Sequence, residues 1–423
     1  MSKDYAIIFE DEYYHRFYPI SLSRPTFNIL AGSKTNLERI RHHFSEFEIF
    51  TLGRPHLSAG PNLGHQFNKL LLINGRALFR SSDLAFINEL KNTDDSSVAY
   101  IKNGSLIAAV LSPKIERDLS QNISSLYDQG QSEKIIQGVK RIVDVDILTL
   151  DYIWDPIFAN PELIISDFDE YFKEKNSPSC KIGDSFTYGR REIATKGDLS
   201  AWATSVIDAR EGPVIIGKDV KINPFTYLEG PAFIGDGCRL VGGKITAGCS
   251  LGNGCRIGGE VENSIFIGNS NKYHEGFIGH SYIGEWVNLG SLTTNSDLKN
   301  NYSEISVRQN GTVVKTGSIK IGCFIGDHTK TGIGSLLNTG AVIGFSCNLF
   351  GGGLIMEKEI PSFAWGNDFL RHTFSLKKAV ETAEIVLKRR NAKFDESHRC
   401  LFEHIFNESA IQREIWLNIP KYT

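Results

Sequence analysis

Between Gly212 and Gly366 an aliphatic residue returns at every sixth position. One series runs Ile216, Ile222, Leu228, Ile234, Leu240; a second runs Ile319, Ile325, Leu337, Ile343, Leu349, Ile355, interrupted by Thr331. A period of six is neither that of a helix nor that of an alternating strand. It suits a prism-shaped parallel β-helix, in which each hexad makes one flat side, the aliphatic residue points inward and small residues turn the corner. Glycine often follows the aliphatic residue, as in Ile216-Gly217, Ile234-Gly235, Ile325-Gly326 and Ile343-Gly344. Most of the chain's 40 glycines lie in this stretch, which predicts corners with positive φ.

The rest of the chain has other periods. Residues 6–9 read as a buried first strand, 36–43 as a polar helix after an extended segment, 70–73 as a second apolar run, and 97–101 with 106–111 as a pair of strands. This mixture predicts an α/β domain over residues 1–175 with a largely parallel sheet. Residues 176–211, opening on Asn176, Ser177, Pro178 and Ser179, read as a linker, and residues 212–366 as the repeat domain. Thr293 to Tyr302 breaks the hexads, and the break continues to about Ser318, a loop projecting from the prism. Residues 367–423 form a helical tail. Ser375 is its expected N-cap, and Leu376, Ala379, Val380, Ala383, Val386 and Leu387 make an apolar stripe suited to docking on the prism or across subunits.

Composition narrows the field. With 423 residues, 41% hydrophobic and 22% charged, the chain has room for two or three domains. A net charge of -3 and a pI near 6.4 supply no electrostatic reason to expect nucleic acid or an anionic membrane as partner. The opening residues run directly into an apolar strand without a signal-peptide pattern, and no apolar run approaches ~18 residues, so the cytoplasm is the expected compartment. Seven cysteines without a CxxC pair indicate neither a zinc ribbon nor a disulfide framework. Cys249 and Cys255, six apart, read as small side chains at equivalent positions.

The repeat stretch resembles the hexapeptide-repeat acyltransferases. That resemblance implies a left-handed parallel β-helix, a homotrimer, and acetyl-CoA bound in the groove between neighbouring prisms. Residues 271–290 align without a gap with the acetyltransferase motif in which a histidine is followed by Tyr-Leu-Gly three residues on and by Asn-Ile-Gly fourteen on. Here the histidine is His274, followed by Phe277-Ile278-Gly279 and Asn288-Leu289-Gly290. The match implies that His274 is the catalytic base and Asn288 a sugar-phosphate ligand, with Phe277 in place of a tyrosine. His280, at the equivalent position on the adjoining side, is the rival base. An amine attacking a thioester must shed a proton, and an imidazole, ordinarily titrating near about pH 6.5, accepts it at neutral pH. In the relatives the region after residue 293 supplies an asparagine to the substrate, for which Asn295 or Asp297 stands here. Residues 324–334 resemble the coils lining the acetyl-CoA groove, which brings in Asp327 and Lys330.

An α/β domain ahead of such a β-helix is similar to the bifunctional UDP-N-acetylglucosamine pyrophosphorylase/glucosamine-1-phosphate N-acetyltransferases and related sugar-phosphate nucleotidyltransferases. In that family the first strand leads into a glycine-rich loop around the nucleotide phosphates. Here it meets Glu10, Asp11 and Glu12, and the first glycine is Gly32. The run from Pro19 to Pro25 resembles the family's proline and basic residue, with Arg24 in the basic role. Arg76 falls where the family has a metal-holding aspartate, and a guanidinium cannot ligate Mg²⁺. Either Glu10 and Asp11 hold the metal or this domain no longer transfers nucleotides. Arg24 and Arg76 are phosphate ligands or ordinary surface arginines.

The resulting expectation is a transferase. It acts as an acetyl-CoA-dependent N-acetyltransferase on an amino-sugar phosphate, with a nucleotidyltransferase-like front domain that takes UTP and Mg²⁺ if active. The alternatives are a nucleotidyltransferase whose β-helix only trimerises it, and a non-catalytic trimeric sugar-nucleotide-binding scaffold.

Overall fold

The computed structural model describes residues 3–58, 60, 67–93, 97–174 and 182–419. The chain divides into two compact units, one of residues 1–17, 23–29 and 34–152, the other of residues 18–22, 30–33 and 153–423.

In the first unit a six-stranded sheet runs in the order Glu48–Leu52, Lys3–Phe9, Phe67–Asn74, Ser105–Leu111, Ser97–Lys102, Arg141–Asp144. Lys3–Phe9 pairs in parallel with both its neighbours, while Ser105–Leu111 is antiparallel to both of its own, so the sheet is mixed. Alternate side chains face opposite layers, which is why the strand cores read as continuous apolar runs. Ala6, Ile8, Leu71 and Ile73 pack on Ile40 of α1 (Asn36–His43) and on Ile87 and Leu90 of α2 (Leu84–Asn92). Ile7, Phe9, Leu70 and Leu72 pack on Ile123 of α3 (Pro113–Ile123) and Ile135 of α4 (Gln131–Gly138). The chain leaves Lys3–Phe9 towards one sheet edge and later returns on its other side. The carboxyl ends of Lys3–Phe9 and Phe67–Asn74 therefore flank a topological switch point, where sheets of this kind place ligands.

The second unit is a parallel β-helix. Its longest wall stacks nine strands, from Ile193–Thr195 through Val214–Ile216 and Ala232–Ile234 to Glu359–Ile360. Register steps such as Val214↔Ala232 and Cys323↔Ala341 place three hexads per coil. The first aliphatic series is wholly buried in the column's core, as are Ile325, Leu337, Ile343, Leu349 and Ile355 of the second. Ile319 departs from the grid: it is 47% exposed, because it belongs to an excursion between Thr294–Asn295 and Cys323–Ile325 that carries the hairpin Ser306–Gln309 and Thr312–Lys315. Cys249 and Cys255 are free thiols in the core.

Two boundaries differ from expectation. Stacking starts ahead of Gly212, with Ile193 paired to Val214 and Val206 to Tyr227; within the stretch read as a linker, residues 176–179 lie outside the described residues. The helix α5 (Asp155–Glu174) clusters with the second unit, since its Ile164 and Phe168 pack on Ala194, Ile215 and Phe233 of the long wall. The tail forms α6 (Leu376–Lys388), α7 (Glu396–Glu408) and α8 (Ala410–Asn418). Ser375 occupies the N-cap of α6 without a side-chain cap bond. Ala379, Val380 and Ala383 pack with Phe402 against Phe345 and Phe363 of the coils, while Trp416 joins the column's core. No described helix is long and apolar enough to cross a membrane.

Candidate functional site

On one wall of the column the outward-facing residues stack rung on rung, about 4.8 Å apart. Register carries this ladder from Lys221 to Arg239, Arg256, Asn271, Asn288 and Lys330. Asn288 faces out because Val287 and Leu289, on either side of it, are buried. His274 lies three residues beyond Asn271, at the turn that ends its rung. Asn288 stacks one coil on from Asn271, and His274, Asn288 and Lys330 line a single cleft of about 440 Å³.

The rest of that cleft was not foreseen. Arg256, Trp286, Val386, Arg389 and Arg390 also line it. Arg390, just past the end of α6, donates to the Gly254 carbonyl at 3.0 Å and to Asn271 Oδ1 at 2.8 Å. Asn271 Nδ2 in turn donates to Asn288 Oδ1 at 3.2 Å, which leaves the Asn288 amide N–H pair to serve as donors. Four cations and no carboxylate line the cleft among the described residues. Burial and the neighbouring Arg256, Arg239 and Arg389 lower the pKa of Arg390, and burial brings Lys330 down to about 8. Arg256 Nε is buried without a hydrogen bond. Such a lining favours an anion with several oxygens, as guanidinium forks match phosphate. The basic run Lys388, Arg389, Arg390 was visible in the sequence, but nothing there says that it meets Asn271, 119 residues away.

His280 sits elsewhere. It occupies a corner at φ 46°, 7% exposed, with Nδ1 2.7 Å from Asp297 Oδ2. Burial opposes the Asp297 charge, yet the His280 bond, with Lys320 nearby, holds that carboxyl below its ordinary range. His280 lines a separate cavity with Glu229, Thr246 and Glu262, where acidic groups replace the cations of the His274 cleft. Asn295, expected to meet substrate, is buried and brackets Gly279 instead, accepting from its N–H at 2.8 Å and donating to its carbonyl at 3.0 Å. Asp327, expected at a cofactor groove, is buried and ties coils together by accepting from the Glu285 N–H at 2.8 Å.

At the switch point of the first unit the expected metal ligands are already engaged. Glu10 accepts from Thr26 N at 3.0 Å and from Arg54 Nε at 2.9 Å. Asp11 is gripped by Arg76, with Nη2 at 2.6 Å and Nε at 2.9 Å, and accepts from Asn74 Nδ2 at 2.8 Å. Arg76 is fully buried and spends both Nη1 donors on the Leu150 carbonyl and Asp151, so it is neither a surface arginine nor a phosphate ligand. Arg24 lies half-buried beside this network, its carbonyl 3.5 Å from Arg54 Nη2. Among the described residues no group of three or more His, Cys, Asp or Glu side chains is arranged to hold a metal. Glu10 and Asp11 are each neutralised by an arginine and do not fit Mg²⁺.

Residues 6–176 match the model of the sugar nucleotidyl transferase family. The chain is 31% identical over 188 residues to the bifunctional protein GlmU of a Synechococcus strain, covering 44% of this chain and 34% of that protein. It is 32% identical over 156 residues to a bifunctional sugar-1-phosphate nucleotidylyltransferase/acetyltransferase of Sulfurisphaera tokodaii, covering 34% and 37%. It is 29% identical over 160 residues to the uncharacterized acetyltransferase YaiX of an Escherichia coli strain, covering 37% and 69%. The matches therefore span about a third of the two bifunctional relatives' own length. In its front part this chain is thus similar to the sugar nucleotidyl transferase model, and in part of its length to proteins described as bifunctional nucleotidylyltransferase/acetyltransferases.

Proposed function

We propose that the cleft around His274 transfers the acetyl group of acetyl-CoA to the amine of an amino-sugar phosphate. One observation carries this reading: among the described residues, the imidazole of His274 and the amide of Asn288 share a cleft with four cations and no carboxylate. The cations balance the phosphate charge of acceptor and donor. Asn288, oriented by Asn271 and Arg390, donates to an oxygen of the acceptor. The amine nitrogen then attacks the thioester carbon, His274 takes the amine proton, and the C–S bond breaks as the thiolate leaves with that proton. Acetyl-CoA enters as a substrate, and the β-helix is expected to act as a homotrimer.

The test is thiol release from acetyl-CoA with glucosamine-1-phosphate. His274→Ala is expected to lower kcat about 100-fold or more. Unchanged turnover would remove the assignment, and a loss that follows His280→Ala instead would move the base to the His280–Asp297 pair. The family match of residues 6–176 supports a second reading, nucleotidyl transfer by the first unit. Pyrophosphate release from UTP and a hexose-1-phosphate, measured with and without Mg²⁺, tests it. The arginine-paired state of Glu10 and Asp11 weighs against a metal-dependent step.

A further inference from the structure

On the inward hexad grid Phe266 and Ile278 are fully buried, and the position between them is Lys272, 2% exposed. Its rung neighbours are Ile257, paired to it in register, and Leu289, whose N–H bonds the preceding Asn271 carbonyl. An ammonium at an aliphatic rung costs free energy unless its donors are used. Two of them are: Lys272 Nζ donates to the Gly258 carbonyl at 2.8 Å and to the His274 carbonyl at 3.1 Å. Gly259 clears space for the ammonium, and its neighbour Gly258 clears space for the turn. A Cβ on Gly259 would lie 2.5 Å from Nζ, and one on Gly258 would lie 2.5 Å from the Tyr273 carbonyl. The residue held in this way is the one whose side chain enters the cationic cleft.

We propose that Lys272 is a positioning residue: from inside the column it pins the turn at residues 273–276 and so fixes where the His274 imidazole stands. The charged groups acting on it are Glu275, in the turn itself, and Glu260, on the adjoining coil. Both oppose the effect of burial, which nevertheless brings the ammonium down to about 8. Deprotonation of Lys272 therefore weakens the grip on the His274 carbonyl within an accessible pH range. The kinetic part of this inference rests on the acetyl-transfer reading, whereas the structural part does not.

The experiment follows the His274 ring resonances of the full chain by NMR from pH 6 to 10, with His274→Ala identifying those signals. In the parent protein they are expected to show a step near pH 8 that Lys272→Met abolishes, with kcat lower by about tenfold or more. In a His274→Ala background Lys272→Met is expected to have no further effect on kcat, whereas general damage to the fold would add to the loss. Should Lys272→Met fail to fold, Lys272→Gln carries the test, because its amide keeps an uncharged donor inside the column that does not titrate, and it is expected to abolish the same step. Absence of the step in the parent, or its survival together with parental kcat in the folded variant, overturns the proposal. If His274→Ala leaves turnover intact, the acetyl-transfer reading falls while the NMR step still decides the role of Lys272.

Discussion

At the residue scale, glycine does two different jobs in the column, and only one of them concerns φ. Corner positions do sit in the left-handed region, as Gly334 and Gly340 do at φ +71° and +66°, but so do Phe225, His280, Trp286 and His328. The glycine after the aliphatic residue is required by close approach. Gly326 has no positive φ, yet a Cβ there would lie 2.8 Å from the Gly344 backbone on the next coil. Gly334→Ala, which meets nothing within 4 Å, is accordingly expected to cost about 1–2 kcal/mol through φ alone. Gly326→Ala is expected to cost about 3 kcal/mol or more, because backbone must move. Urea midpoints of the two variants check this, and equal costs would refute the distinction. The breaks in the aliphatic grid have a similar local cause. Thr331 is inward and buried, and its hydroxyl meets Thr293 Oγ1 at 2.8 Å and the Gly290 N–H at 3.1 Å.

At the scale of elements, the tail contributes both packing and charge. The stripe of α6 was legible from its 3.6-residue period, and its docking on Phe345 and Phe363 follows from that stripe. The same helix brings Arg389 and Arg390 to the cleft, which no periodicity announces. Arg390→Gln is expected to raise KM for the phosphate-bearing acceptor about tenfold or more, since charge-assisted bonds contribute roughly 1.5–3 kcal/mol. The dependence of KM on salt should weaken at the same time. Initial rates at low and high ionic strength measure both effects, and an unaltered KM would remove Arg390 from the site.

At the scale of the whole molecule, buried charge governs how stability responds to change. In the first unit, Arg76→Met leaves Asp11 buried without its partner and is expected to cost about 3–5 kcal/mol. Adding Asp11→Leu should recover most of that loss, as denaturant unfolding of the single and double variants would report. In the column, burial lowers Lys272 and Lys330 from 10.5 to about 8. Between pH 8 and 10.5 the unfolded chain therefore holds more protons than the folded one, and stability rises with pH. Burial also raises the thiols of Cys249, Cys323 and Cys347 from 9.0 to about 12. Above pH 9 the unfolded chain sheds protons that the folded one keeps, and stability falls. The urea midpoint is expected to climb above about pH 7.5, peak near about pH 9 and decline beyond it. Lys272→Met should flatten the rising limb.

The edge strands Glu48–Leu52 and Arg141–Asp144, which lack a continuous buried run, escape a reading of the sequence, but the column, its buried series apart from Ile319, the other four strands of the first unit and the excursion after Thr293 were legible there. Each of these is a local period or its interruption, and a period repeats the same physical demand at every coil. The likeness of residues 271–290 to the acetyltransferase motif also pointed to His274 and Asn288. Which charges meet was settled by packing. Asp11 is committed to Arg76, Asn295 to the Gly279 backbone, and Arg390 to Asn271, because each pairing joins positions that share no period and come together only when separate elements pack.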